Sequence, residues 1–381
     1  MKISLSFDEF TSKLGYINTI LGDKSVEEKL RNIIFLVEGG EVKMVAYNAF
    51  IFVRSAFENA EVDLEGASEW SFQLKASDVN KTVSAFSNMY KTKVTNLDLS
   101  EEGVRIKLTI HEEAKNEADS RLAKDSEFLF EHAPILPKTL EEIKIPFPES
   151  VDMVSSGDVL LYLDSLFPLL NNDSSNGMGS KIHFADDYVF VISAAMSSFM
   201  VNKLPDSFKD LCLAYSSSGF LKKMTESSEN IGVARDEKYL CIQESNTEAF
   251  MKYQKVKVKY SMYVDKRSKD KGFVVDRLYL KDVLKRMATV EAKGSVKIEG
   301  DDLFVSNSNF SQTVPLNNKK NAENISGFDI SVPLFEKSIL GKDDVFSGDL
   351  FVYFVDTARG YLVYISDGTG AWFSSTQVTK S

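Results

Sequence analysis

The sequence predicts an α+β protein built from six copies of one unit, each a strand, a helix and three more strands. Three observations support this class: alternating apolar positions typical of strands, one amphipathic stretch in each copy, and turn residues between the strands. The last copy is the clearest, because Phe328–Val332 alternates and Pro333 stands where a first helical residue tolerates proline. A repeated unit favours an extended or closed surface over a single active site.

The copies follow one another along the whole chain. Their first strands are short alternating segments: Lys2–Ser6, Trp70–Lys75, a stretch beginning near Val151, Asp210–Tyr215, Phe273–Tyr279 and Phe328–Val332. Their helices carry apolar residues three and four positions apart: Asp8–Leu21, the segment capped by Ser77 and reaching Phe86, Val159–Leu170, Gly219–Ser227, Lys281–Val290 and Leu334–Leu340. Their closing strands are these: Asn32–Val37, Glu41–Asn48 and Phe50–Phe57; Val94–Leu99, Val104–Glu112 and Arg121–Phe130; Lys181–Ala185, Tyr188–Ala194 and Phe199–Lys203; Ile231–Arg235, Tyr239–Glu244 and Ala249–Lys255; Val296–Glu299, Leu303–Ser306 and Ser311–Leu316; Asp349–Asp356, Gly360–Ser366 and Ala371–Val378.

Two breaks in composition group the copies in pairs. His132–Glu149 holds four of the eight prolines and shows no helical period, which predicts a stiff linker. A lysine-rich stretch follows the fourth copy. We therefore expect a first domain over 1–131, the proline-rich linker over 132–149, a second domain over 150–257, a basic connector over 258–272 and a third domain over 273–381.

Composition limits the class of protein and its location. Hydrophobic residues make up 43% of the chain and charged residues 27%, as in soluble globular proteins. No run approaches the roughly 18 apolar residues of a membrane span, and Met1–Glu9 lacks the order of a signal peptide. Cys212 and Cys241 lie in separate predicted strands and are interpreted as buried thiols. We expect a cytoplasmic protein without a membrane partner.

No residue pattern indicates catalysis. The sequence contains no phosphate-binding loop, dinucleotide fingerprint or nucleophile elbow. His111, His132 and His183 are isolated, and a lone strand histidine is more often satisfied locally than a metal ligand. Acidic pairs such as Asp186 with Asp187 favour solvated turns over metal sites. We expect neither enzymatic activity nor a cofactor or bound metal.

Charge is distributed unevenly along an acidic chain. The net charge is −11, which argues against a protein that coats DNA over its whole surface. Lys255–Lys271 nevertheless contains seven basic residues against two acidic ones. An acidic body with local basic faces suits a protein that meets a polyanion on one surface only.

The six paired units resemble the DNA polymerase sliding clamps, and at this length the bacterial beta type or a phage-encoded relative. The resemblance includes the opening Met1-Lys2-Ile3 strand, the helix with Leu14, Ile17 and Leu21, and the strands over Asn32–Phe57. It implies three DNA-clamp domains of two repeats each, with helices lining a ring and sheets outside. It also implies that the ring encircles duplex DNA without sequence preference and tethers the replicative DNA polymerase for processive synthesis. The implied partners are duplex DNA, a DNA polymerase, a clamp loader and a second copy in a head-to-tail homodimer.

Lysines on the helices are the predicted DNA contacts. Each helix must pack its apolar stripe on the sheet and turn its polar face inward. In the fifth helix the stripe leaves Lys281 and Lys285 on the other face. The predicted contacts are Lys13, Lys81, Lys222, Lys223, Lys281, Lys285, Arg286 and Lys337. The alternative for each is a solvated helix face.

The resemblance also implies a hydrophobic pocket for polymerase and loader peptides between the second and third domains. Methionine and aromatic residues suit adaptable binding of short peptides. The predicted pocket residues are Met196, Phe199, Tyr260, Met262, Tyr263, Trp372, Phe373 and Val378. The alternative for Phe199, Trp372 and Phe373 is strand core. For the whole chain, the alternatives are a repeat-built structural or assembly protein and an unrecognised enzyme.

Overall fold

The repeated order of elements is visible in the structure. A computed structural model describes residues 1–21, 31–86, 89–132, 135–170, 180–185, 187–192, 197–201, 203–264, 269–322, 325, 327–332, 348–369 and 372–379. Within these residues, strand, helix and three strands follow one another in five complete copies, as predicted. The sixth copy has its four strands, and its predicted helix over Leu334–Leu340 lies outside the described residues.

The element bounds are as follows. The helices are α1 Phe7–Leu21, α2 Ala76–Ala85, α3 Pro137–Ile143, α4 Ser156–Leu166, α5 Tyr215–Glu226, α6 Ser261–Val264 and α7 Arg277–Ala288. The strands are β1 Lys2–Ser6, β2 Asn32–Glu38, β3 Glu41–Tyr47, β4 Ile51–Ala56, β5 Glu61–Asp63, β6 Glu69–Lys75, β7 Thr92–Glu102, β8 Arg105–Ala114, β9 Ser126–Glu131, β10 Asp152–Ser155, β11 Lys181–Ala185, β12 Tyr188–Ile192, β13 Ser197–Val201, β14 Leu211–Ala214, β15 Asn230–Arg235, β16 Tyr239–Glu244, β17 Thr247–Lys252, β18 Gln254–Lys255, β19 Gly272–Asp276, β20 Lys293–Glu299, β21 Asp302–Ser306, β22 Ser311–Lys320, β23 Phe328–Ser331, β24 Asp349–Thr357, β25 Gly360–Ser366 and β26 Trp372–Thr379.

Neighbouring copies exchange their first strands. Strand β1 pairs with β7 of the second copy, and β6 pairs with β2 of the first. The same exchange joins β10 to β15, β14 to β11, β19 to β24 and β23 to β20. Each copy therefore completes its sheet only with a strand from its neighbour, which explains why the copies occur in pairs.

The chain forms two compact units. The first unit comprises Met1–Ser156 and Gly219–Tyr253, and the second comprises Gly157–Ser218 and Gln254–Ser381. Both units draw on residues of the predicted second domain, 150–257. The three-domain layout stays a prediction.

The first unit has a core of helix and sheet residues. On α1 the buried residues Phe10, Leu14 and Ile17 form one face. The Phe10 ring stacks on Phe35, and Phe35 stacks on Phe72 at 4.9 Å between centroids. The apolar stripe read from the sequence is thus the face that packs on the strands.

Several element ends differ from the sequence-based expectation for local reasons. Ser77 does not cap α2: the helix begins at Ala76, whose backbone N–H donates to the Arg31 carbonyl. The predicted strand over Phe273–Tyr279 ends at Asp276, because that carboxylate accepts from the Tyr279 backbone N–H at 2.7 Å and starts α7.

Other predicted boundaries were wrong because of turns the sequence pattern hides. The helix predicted over Val159–Leu170 ends at Leu166, and Pro168 follows in a short 3-10 turn. The strand predicted from Arg121 begins only at Ser126, after a 3-10 turn over Glu117–Leu122. The strand predicted over Ala249–Lys255 is divided into β17 and β18.

The proline-rich segment 135–147, here called the first strap, is packed on the sheet. It contains α3, so the prediction of a linker without helix is wrong, and proline stands at the start of that helix. Ile143 is buried against Ile34, Leu36 and Val45. Phe147 contacts Phe250 edge-on at 5.7 Å. Pro137 and Pro146 limit the conformational freedom of the unfolded segment, while its apolar side chains fix its path on the sheet.

Arg54 of β4 joins the first strap to the sheet. Its guanidinium forms an ion pair with Glu248 of β17 and lies 4.9 Å from the Phe250 ring. Its Nη1 donates to the carbonyls of Ile143 and Ile145 at 3.3 and 2.6 Å. One buried cation therefore satisfies two strap carbonyls and a carboxylate across the β4–β17 ladder.

Replacing Arg54 with alanine should lower the free energy of unfolding of the first unit by about 3 kcal/mol, because Glu248 and two carbonyls lose their partner. The measurement is urea unfolding followed by Trp70 fluorescence, in a Trp372→Phe background that leaves one tryptophan. The control Lys93→Ala breaks an exposed ion pair and should cost less than about 1 kcal/mol. Equal losses would show that Arg54 does not hold the strap.

Candidate DNA, edge and partner surfaces

The closing strands of the copies pair with one another. Strand β4 pairs with β17 over five residues from Ile51 to Ser55, and β13 pairs with β26 over Ser197–Met200. Each of these strands also pairs with its own neighbour, so both of its sides are hydrogen-bonded. Pairing between two closing strands therefore occurs twice and joins the first copy to the fourth and the third copy to the sixth.

Two closing strands keep an open side within the described residues. Strand β9 pairs only with β8, and is the last strand of its sheet. Residues 311–315 of β22 pair only with β21, and the remainder of β22 turns to pair with β19. An open strand edge is a template for pairing with another chain.

Apolar side chains accompany both open edges. Leu129 of β9 is 51% exposed, while Phe128 points inward against Phe86. Beside β22, Leu278 and Tyr279 at the start of α7 are 50% and 40% exposed. Gln312 Nε2 of β22 donates to the Tyr279 hydroxyl at 2.9 Å, so these aromatic and aliphatic groups flank the edge itself.

His111 of β8 links the start of β9 to the sheet. Its Nε2 lies 3.0 Å from Asp98 and its Nδ1 lies 3.1 Å from Asp125, the residue before β9. Lys2 Nζ lies 2.7 Å from the same Asp98 oxygen. Burial favours a lower pKa for His111, but the two carboxylates outweigh it and raise that pKa. At Asp98 burial alone would raise the pKa of the carboxyl group. The interactions with Lys2, Ser4 and His111 outweigh burial and lower that pKa.

The predicted DNA contacts fall into four groups. The first group is exposed on its helices and consists of Lys81 of α2 and Lys285 and Arg286 of α7. Lys281 is half-buried, and Lys222 lies 3.8 Å from Glu226 one turn along α5. Lys337 lies outside the described residues.

Two of the predicted contacts are engaged inside the first unit. Lys13 pairs with Glu9 at 3.3 Å, is 12% exposed and lies over the Phe57 ring. Lys223 Nζ donates to the Gly15 carbonyl at 2.9 Å and to the Thr19 hydroxyl at 3.0 Å. These two lysines therefore hold helices in place and are weaker candidates for contact with a polyanion.

Where they are described, the predicted peptide-pocket residues all belong to the second unit. Phe199 is fully buried and stacks on Phe190, so it belongs to the core. Tyr260 lies against Phe190 and Tyr188 at 5.4 and 5.9 Å between centroids. Val378 is buried on β26.

The backbone places the other predicted pocket residues beside these. Trp372 and Phe373 of β26 pair with Met200 and Phe199 of β13. Met262 and Tyr263 lie in α6. Met196 lies outside the described residues.

Partly exposed apolar residues of the second unit form a surface of which the sequence predicted only Tyr260. We call it the outer patch, and its members pack against the core of Phe190, Phe199 and Tyr364. The outer patch consists of Tyr188, Tyr260, Val264, Tyr353, Val355 and Leu362. The segment 254–264, here called the second strap, supplies two of them. Strand alternation alone could not assign them, because both faces of these strands carry apolar residues.

The described residues contain neither a candidate metal site nor a helix that could span a membrane. No group of three or more histidine, cysteine, aspartate or glutamate side chains is placed there to hold a metal ion. None of the described helices combines the length and apolarity of a membrane span. Cys212 and Cys241 are buried free thiols, as predicted, and burial raises the pKa of Cys241 to about 12.

The described fold is that of the bacterial DNA polymerase sliding clamps. The sliding clamp of Caulobacter crescentus has a TM-score of 0.77 and 13% identity, with 100% of both chains covered. The DNA polymerase III beta subunits of Thermotoga maritima and Pseudomonas aeruginosa have TM-scores of 0.76 and 0.74 and identities of 14% and 11%. Each match covers all of this chain, with 99% of the Thermotoga and 100% of the Pseudomonas chain. The sequence matches no family model and no curated protein.

His111 should make the stability of the first unit depend on pH. A raised pKa means that its stabilisation is complete below the unfolded value of about 6.5 and is lost as pH rises through the folded value. Urea midpoints measured by Trp70 fluorescence should therefore fall from about pH 6.5 upward. His111→Gln should flatten this decline, whereas His132→Gln, outside the cluster, should keep it. An unchanged decline in the His111 variant would contradict the assignment.

Proposed function

We propose that this protein is a sliding clamp that encircles duplex DNA and tethers a replicative DNA polymerase, without catalysing a reaction itself. The observation that carries the proposal is the clamp fold over the whole chain together with two open strand edges. A cytoplasmic location and a clamp loader as partner belong to the same proposal. The repeat-built structural protein is the alternative.

The ring arises from three domains of two repeats in each of two copies. Within the chain, two junctions already join closing strands, β4 with β17 and β13 with β26. A third junction of the same kind pairs β9 of one copy with residues 311–315 of β22 in the other. Because this contact is heterologous, two copies placed head to tail close it at both ends.

The DNA-facing surface is formed by helices with exposed cations. Lys81, Lys285 and Arg286 supply positive charge on a chain whose net charge is −11. Contacts of this kind act on phosphates and carry no sequence preference. A few weak contacts suit a protein that must move along the duplex.

The polymerase and loader dock on the outer patch through short apolar peptides. Partly exposed valines and tyrosines lie there on a rigid sheet. Such a surface binds aliphatic and aromatic side chains with little loss of its own conformational entropy, because the sheet is already ordered. Phe199 supports the patch from below.

The parent protein should be a dimer with a mass near twice 42.7 kDa by light scattering at micromolar concentration. Leu129→Asp or Leu278→Asp should each give monomers, because a carboxylate would be buried at the third junction. Leu136→Asp is the matched control, since Leu136 is exposed and lies on the first strap, in neither β9 nor β22. A parent monomer or trimer, or dimers in both edge variants, would contradict the ring.

A comparison of retention on circular and on linear DNA tests the clamp function. Protein diluted to monomers, mixed with nicked circular plasmid and then concentrated should close around the DNA and remain with it through gel filtration. Cutting the plasmid once should release it, because only the closed duplex prevents sliding off. Equal retention on circular and linear DNA would favour the structural-protein alternative.

The same assay tests the helix lysines. Lys281→Glu with Lys285→Glu should reduce retention on the circle several-fold at about 0.1 M salt, while dimer mass is unchanged. Lys293→Glu with Lys297→Glu makes the same change of charge on β20 and should retain the parent behaviour. Equal retention of both variants would show that Lys281 and Lys285 do not contact the DNA.

A further inference from the structure

A row of lysines lies on the solvent side of the second strap. Lys255, Lys257 and Lys259 are exposed and alternate with apolar residues that pack on the sheet. We call these three residues the lysine row. Within the described residues none of them forms an ion pair, so three positive charges stand together without neutralisation.

The first strap serves as an internal comparison. It covers the β4–β17 junction in the first unit, as the second strap covers strands next to the β13–β26 junction. Its exposed outer side carries Glu141 and Glu142. Its Lys144 is neutralised by Glu38 and Glu69 at 3.6 and 2.8 Å. Positive charge is therefore not a requirement of strap packing.

The lysine row adjoins the outer patch. Tyr260, the next residue of the strap, lies in the patch against Tyr188, and Val264 follows within the same segment. In extended backbone, alternate residues stand about 6.6 Å apart, so the row matches alternate side chains of an extended peptide. A peptide anchored on the patch would place its flanking residues along the row.

We propose that the lysine row recognises acidic residues flanking the apolar anchor of the docked peptide, an inference that rests on the proposed clamp function. A short acidic peptide is favoured over DNA because a long polyanion would also meet the acidic remainder of a chain of net charge −11. Exposed ion pairs are individually weak. The row therefore selects among apolar peptides and speeds their encounter, while the patch supplies the affinity.

Two short fluorescent peptides test this proposal. They share leucine and phenylalanine anchors and differ in their flanks, Asp-Glu-Asp-Glu in one and Ser-Asn-Ser-Asn in the other. Anisotropy at about 50 mM salt should show about tenfold tighter binding of the acidic peptide to the parent dimer. The difference should shrink at about 300 mM salt.

Charge reversal of the lysine row identifies its contribution. Lys255→Glu, Lys257→Glu and Lys259→Glu together should abolish the preference and leave the neutral peptide bound as tightly as by the parent. The control triple variant reverses exposed lysines elsewhere and should keep the preference: Lys238→Glu, Lys293→Glu and Lys297→Glu.

Several outcomes overturn the proposal. These are equal affinity of the parent for both peptides, no binding of either, or a preference that survives reversal of the row. A labelled oligothymidylate that binds the parent and is lost on reversal, without any peptide preference, would make the row a nucleic-acid surface. Retention on circular DNA is measured on the same samples. Peptide preference without retention would overturn the clamp alone, and retention without preference would overturn the row alone.

Discussion

The pairing of one closing strand with another is the interaction on which this structure depends. Backbone N–H and C=O groups at a strand edge must find partners when the edge is covered. The β4–β17 and β13–β26 ladders satisfy them within the chain. Within the described residues, the outer edges of β9 and of residues 311–315 of β22 have no strand to pair with. The proposed assembly of two copies would continue the same rule that organises the single chain.

Division of labour among charged residues follows from this architecture. Arg54 is hydrogen-bonded to the first strap, and Lys223 of α5 is hydrogen-bonded to Gly15 of α1. Exposed cations remain on helix faces, where Lys81, Lys285 and Arg286 lie, and on the second strap, where the lysine row lies. Under the proposed function, the cations on the helices meet phosphates and those on the second strap meet a peptide, while the acidic remainder of the chain disfavours general binding of polyanions.

Much of the fold was predictable from periodicity, because the same pattern is repeated. Strands β11, β16 and β25 have the predicted bounds, since turn residues mark both of their ends. Strand β1 also has its predicted bounds and leads directly into α1. Local pattern could not find α3, where prolines hide a two-turn helix stabilised by the sheet beneath it. Nor could it show that Lys223 meets Gly15, because that contact joins residues 208 positions apart. The outer patch required tertiary structure for the same reason.

Amide hydrogen exchange at the two open edges tests the central claim most directly. At micromolar concentration the outward amides of Ser126–Glu131 and of residues 311–314 should be as protected as those of β4 and β17. Dilution below the dimer dissociation constant should expose both edges together and leave β4 and β17 protected. Fast exchange at both edges at every concentration would show that the third junction does not form.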